Sequence, residues 1–135
     1  MSAAALKLVR VYHVDQTLID AYANVSGDHN PLHTDPAFAA TTHFGRTIAH
    51  GMMTLAFVSE SLELWCGEGW TNGGAIEATF LSPVYSGDDV EVSAIETTVE
   101  APARVCAIEC RAGERAILSA TARWTAPASE GFGHA

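Results

Sequence analysis

Between Tyr22 and Met52 the chain reads YANVSGDHNPLHTDPAFAATTHFGRTIAHGM, placing Asp28 five residues before His33 with an Asn-Pro between them. A carboxylate and an imidazole that can both touch one water are what proton-transfer chemistry requires. Asn30-Pro31 would hold them there. Pro31 fixes its own φ and keeps Asn30 extended, so the segment loses little entropy when it orders around a substrate. A plainer reading needs no chemistry: Asp28 and Asn30 bond nearby backbone amides, Pro31 stiffens a turn, and His33 fills it. The spacing is compatible with both readings.

Four histidines (His29, His33, His43, His50) and two aspartates (Asp28, Asp35) fall within 23 positions, which raises the question of a metal. A His-x-x-x-His pair at His29 and His33 would need a helix to bring both imidazoles to one face, and Pro31 lies inside it. No metal is expected.

Directly after His50 begins GMMTLAFVSESLELWCG, the longest helical candidate. The first turn of a helix presents unpaired amides with partial positive charge, and Gly51 would let a substrate oxygen approach that backbone closely. This is the geometry of an oxyanion hole. Beside Asp28 and His33 it would suit polarisation of a carbonyl while water adds across the adjacent carbon–carbon double bond.

The elements that must position these residues follow from period and punctuation. KLVRVYHV has strand composition, and Asp15 and Thr17 offer capping oxygens to a helix carrying Leu18, Ile19, Tyr22 and Val25. Gly27 closes that helix, and residues 28–33 are expected as loop. Asp35-Pro36 starts a short helical turn. The long helix is apolar nearly all round, which predicts full burial, with Gly67 and Gly69 as its stop. Thereafter GGAIEATFLSPVY, DDVEVSAIETTVE, ARVCAIECRAG and ERAILSATARWT predict four antiparallel strands in meander order. Val90 and Val92 alternate with Glu91 and Ser93, so the strands have two unlike faces. The class is α+β, a curved antiparallel sheet around one apolar helix. Residues 1–126 form one domain, and residues 127–135 have the composition of a loose tail.

Composition bounds the function. The 135 residues are one domain's worth, 48% hydrophobic and 17% charged, as in a compact protein. Seven Lys and Arg against sixteen Asp and Glu give a net charge of −9, too few cations for a basic patch, so no nucleic-acid partner is expected. No apolar run has the length of a signal peptide or a membrane span, so the reading is cytoplasmic, with no membrane partner. Cys106 and Cys110 would lie about 13 Å apart along one strand, too far for a disulfide. With Cys66 they read as thiols in a reducing compartment.

YANVSGDHNPLH resembles the hydratase-2 motif of the MaoC-like hydratases and dehydratases. Tyr22, Val25, Ser26, Gly27, Asp28, Asn30, Pro31, Leu32 and His33 fill that motif without departure. DPAFAATTHFGRTIAHGM continues the resemblance toward the short (R)-specific enoyl-CoA hydratases. The resemblance implies a hot-dog fold, in which residues 51–66 are the helix inside the sheet, and a homodimer with active sites at the interface. It implies hydration of trans-2-enoyl-CoA to (R)-3-hydroxyacyl-CoA, and the reverse dehydration, with no cofactor. Asp28 and His33 match the catalytic pair and Gly51 the oxyanion amide. Asn30 would orient the pair, and Ser59 matches a supporting helix serine. Arg46 is a candidate phosphate contact for the acyl-CoA thioester. Met52, with neighbours such as Met53 and Phe57, would line an acyl tunnel or simply pack. A hot-dog thioesterase and a noncatalytic thioester-binding or assembly subunit are the alternatives.

Overall fold

The computed structural model describes residues 7–100 and 102–125, so the expected tail at 127–135 lies outside the described residues. The chain begins with strand β1 (Lys7–His13), followed by helix α1 (Gln16–Ser26). The Asp15 carboxylate accepts from the Leu18 N–H at 2.8 Å and caps α1. Gly27, at φ 80°, ends it by donating its N–H to the Ala23 carbonyl, a left-handed cap that glycine adopts without strain.

Within the expected loop at 28–33, residues 31–33 and the following Thr34 are helical. They form a single helical turn, α2 (Pro31–Thr34), capped by Asn30. Pro31 sits at the first position of that turn, where its missing N–H has no intrahelical acceptor to lose, so the residue taken as a breaker is a starter. Helix α3 (Pro36–Ala40) repeats the device with Asp35 as cap.

Helix α4 (Gly51–Cys66) carries the core. Met53, Phe57, Val58, Leu62 and Trp65 are buried with Val92, Ala94, Ile108, Leu118, Ala120 and Ala122 of the sheet. Burial is on one side only, contrary to the all-round pattern: Met52 is 59% exposed and Leu64 42%. A single sheet covers one face of a helix, and the apolar residues of the other face are left open within one chain. Gly67 ends α4, but Gly69 lies within a further short helix, α5 (Glu68–Gly73).

Strands β2 (Ala75–Phe80), β3 (Asp89–Glu100), β4 (Ala103–Ala112) and β5 (Arg115–Thr125) complete one antiparallel sheet in the order β1-β3-β4-β5-β2. The meander holds for β3, β4 and β5. It fails for β2, which pairs with β5 from Ala75↔Arg123 to Phe80↔Leu118. The reason lies in residues 81–88, which run as a strap and not as a hairpin. The strap bonds to β5 through the Leu81 N–H and Ile117 carbonyl, and to the segment before α4 through the Ala49 N–H and Val84 carbonyl. The strap therefore carries the chain from the β2 edge to β3, which pairs with β1 near the other edge. Inward residues alternate along β4 as Arg104, Cys106, Ile108 and Cys110. Burial pushes all three thiols, Cys66, Cys106 and Cys110, up to about 12. No helix among the described residues is long and apolar enough to cross a membrane.

Candidate active site

The Asp28 carboxylate is placed by a run of short side-chain-to-backbone bonds. Ser26 Oγ accepts from the Asp28 N–H at 3.2 Å, Asp28 Oδ1 from the Asn30 N–H at 3.2 Å, and Asn30 Oδ1 from the Leu32 N–H at 3.0 Å. The turn-and-cap reading of this motif is thus correct, and it is also the device that aims the carboxylate. Asp28 spends Oδ1 on the turn and keeps Oδ2 for His33.

His33 rides on the turn that Asn30 caps. Its Nδ1 lies 2.7 Å from the Ile48 carbonyl oxygen, an atom that only accepts, so Nδ1 carries the proton and Nε2 is bare in the neutral ring. That Nε2 faces Asp28 Oδ2 at 3.9 Å. The separation exceeds a direct hydrogen bond, and one water set to the side of the line between them can touch both atoms. The His33 side chain is 13% exposed and that of Asp28 55%, so the pair lies at the bottom and the rim of an opening. Gln16 of α1 clamps the turn from below: its Nε2–H donates to the His33 carbonyl at 2.8 Å, and its Oε1 accepts from the Thr47 hydroxyl at 2.5 Å.

His50 was not singled out by sequence reasoning. It is 4% exposed. Its ring stacks on that of His33, with centroids 3.9 Å apart and planes 26° from parallel, and its Nε2–H donates to the Asp28 carbonyl at 2.9 Å. Tyr22 meets the His50 ring at 4.9 Å. The signal in the sequence was its place just before Gly51, but a stack between residues far apart in the chain leaves no local trace.

Tyr22, Ser26, Asp28, His33, His50, Gly51 and Met52 line one cavity of about 210 Å³. Gly51 is the first residue of α4, so its N–H has no intrahelical acceptor, and His50 makes no side-chain cap there. A Cβ at Gly51 would press on the Phe80 ring at 3.3 Å. Gly51 also borders a second cavity of about 280 Å³ that includes Phe80, Leu81 and Pro83. The structure therefore brings together Asp28, His33, Gly51 and Met52, with Asn30 behind them as a cap.

Ser59 and Arg46 lie elsewhere. Ser59 is two turns along α4, about 12 Å from Gly51 at 1.5 Å per residue, and its Oγ accepts from the Trp70 indole N–H at 3.3 Å. Arg46 is exposed, with its guanidinium over the Tyr85 ring at 4.4 Å. Asp28, His33 and His50 each offer an atom within 4.8 Å of the others, as a metal would require. The stack, however, sets the two imidazoles face to face, so their in-plane lone pairs run side by side and do not converge on one ion.

A sheet wrapped around one helix, with an Asp–His pair beside the helix start, defines a hot-dog hydratase-type domain. The MaoC like domain family matches residues 3–114, and the chain belongs to that family. It is 34% identical over 116 residues to the 3-hydroxybutyryl-CoA dehydratase of Methylorubrum extorquens, spanning 81% of this chain and 71% of that one. It is 43% identical over 76 residues to the (R)-specific enoyl-CoA hydratase of Aeromonas caviae. That match spans 53% of this chain and about half, 54%, of the relative. Among solved structures, the R-hydratase PhaJ1 from Pseudomonas aeruginosa in its unliganded form superposes with a TM-score of 0.83 at 26% identity, over 99% of this chain and 88% of that one.

Proposed function

We propose that this chain adds water to the double bond of a trans-2-enoyl-CoA to give the (R)-3-hydroxyacyl-CoA, and catalyses the reverse dehydration. The observation that carries the reading is the bare His33 Nε2 facing Asp28 Oδ2 at 3.9 Å in a cavity that also holds the Gly51 amide. Relatives named as enoyl-CoA hydratase and 3-hydroxybutyryl-CoA dehydratase support it.

In this mechanism a water lies beside the pair, within hydrogen-bond reach of both Nε2 and Oδ2. Its hydroxide adds to C3 as its proton passes to the pair, and a proton returns from the pair to C2 on the same face. One water is consumed and the pair ends as it began. The Gly51 N–H holds the thioester oxygen while enolate charge develops on it. Because two groups this close share their protons, acid and base belong to the pair and not to one residue.

Asn30 orients the pair through its cap, and Met52 forms part of the wall against the substrate. Ser59 supports the site only through α4 and Trp70. Arg46 is the candidate contact for a CoA phosphate. A homodimer is supported by the β2 edge, unpaired among the described residues, and by the exposed Met52 and Leu64 of α4, both of which a second copy would cover. Free buried thiols fit a reducing compartment such as the cytoplasm. The test is direct: incubation with trans-2-enoyl-CoA, following loss of the conjugated double bond and identifying the product.

A further inference from the structure

His50 touches both members of the reacting pair. Its Nε2–H holds the backbone carbonyl of Asp28 at 2.9 Å, and its ring face lies against His33 with centroids 3.9 Å apart. His50 Nδ1 is buried with no hydrogen-bond partner, so the Asp28 carbonyl is the polar anchor of the ring. Tyr22, from α1, also meets the His50 ring, with centroids 4.9 Å apart. His50 thus contacts a ring of α1 and a ring of α2.

We propose that His50 is a positioning residue for the Asp28–His33 pair. This rests on the hydration reading above and adds a residue to it. The ring is held at its covalent attachment and at Nδ1 by the bond to Ile48, which leaves it free to tilt about the line through those two points. The stack on His50 opposes that tilt. Asp28 likewise has one carboxylate oxygen tied by Asn30, and His50 holds the backbone from which that carboxylate hangs. Both atoms that would share the water are thus referred to one rigid side chain. A misplacement of about 1 Å in such a pair costs about 10²-fold in rate.

Two variants separate the two contacts. His50→Phe keeps a ring beneath His33 and removes the donor to Asp28, whereas His50→Gln keeps a donor and removes the ring. With the enoyl-CoA assay, each is expected to lower kcat by about tenfold or more while KM changes less than about threefold. In a His33→Gln background the same substitutions are expected to change the remaining rate less than about twofold, because Asp28 and His33 act as a unit and without the imidazole no working pair is left to position. Retention of kcat within twofold by both variants would overturn the proposal. So would losses that appear in KM, or losses of equal size with and without His33.

One measurement needs no variant to fold. Long-range proton–nitrogen NMR of the unaltered protein is expected to show His33 protonated at Nδ1 and His50 at Nε2. His33 protonated at Nε2 when neutral, or His50 at Nδ1, would overturn the arrangement. An unaltered protein that leaves every enoyl-CoA untouched would instead overturn the hydration reading, with the NMR result still deciding how the rings are tied.

Discussion

His33 Nε2 and Asp28 Oδ2 stand 3.9 Å apart because each residue has already committed its other polar atom, Nδ1 to the Ile48 carbonyl and Oδ1 to the Asn30 amide. The pair is therefore aimed before any substrate arrives. Neither side chain has to be reoriented, and one water placed to the side of the pair can reach both atoms.

Removing either partner is expected to leave the fold in place, since the backbone bonds of the turn remain. Asp28→Asn and His33→Gln should each lower kcat/KM for hydration by about 10²–10⁴, and the double variant should be little worse than the poorer single. Steady-state kinetics with melting curves checks this. Near-normal turnover by either single variant would remove that residue from the mechanism.

Much of this site was legible in the sequence because it is local. Asp28, Asn30, Pro31 and His33 lie within one turn, where capping rules act over two or three residues, and Gly51 opens a helix whose start is marked. His50 was not legible as a partner, because its bond to Asp28 spans 22 residues and its stack on His33 joins separate elements. The same limit explains β2. Its strand character was plain, but its place beside β5 is set by the strap at 81–88, whose hydrogen bonds reach distant segments. Pro31 was misread for a different reason: as a helix breaker and as a first helical residue it looks alike until the cap before it is recognised.

Arg46 gives the weakest structural argument for a substrate contact and so the sharpest test. Its guanidinium is held over Tyr85 and lies outside the lining of the cavity that holds Asp28 and His33. If it meets a CoA phosphate, Arg46→Ala raises KM for enoyl-CoA severalfold with kcat unchanged. An unchanged KM assigns it to the Tyr85 contact alone. The net charge of −9 further predicts that CoA esters are used better than the matched esters of an acidic acyl carrier protein, read as kcat/KM on both carriers.

Mass measurement in solution checks the assembly. A homodimer is expected, since Phe80 at the β2 edge is 51% exposed and Met52 at the cavity wall 59%. A stable, fully active monomer would contradict it.

Glu96 and Arg104 form a buried ion pair at 3.5 Å between β3 and β4. Burial raises the Glu96 carboxyl above its ordinary value, and Arg104 pulls it back down. A carboxyl raised by folding stabilises fully below its unfolded value, and that contribution is lost as pH rises through the folded value. Arg104→Met removes the opposing pull, so the loss deepens toward neutral pH. The variant should be destabilised by about 3 kcal/mol near neutrality and by visibly less near pH 4. Denaturant titrations at the two pH values compare them, and a loss that is equal or larger in acid would refute the assignment.

The central claim is tested most directly by following the unaltered protein with trans-2-enoyl-CoA. Absorbance of the conjugated double bond, stereochemistry of the product and free thiol are measured in one reaction. Loss of the conjugated absorbance with formation of (R)-3-hydroxyacyl-CoA, and no thiol released, is the predicted result. Release of free CoA thiol, formation of the (S) product, or no reaction across a range of acyl chain lengths would contradict it.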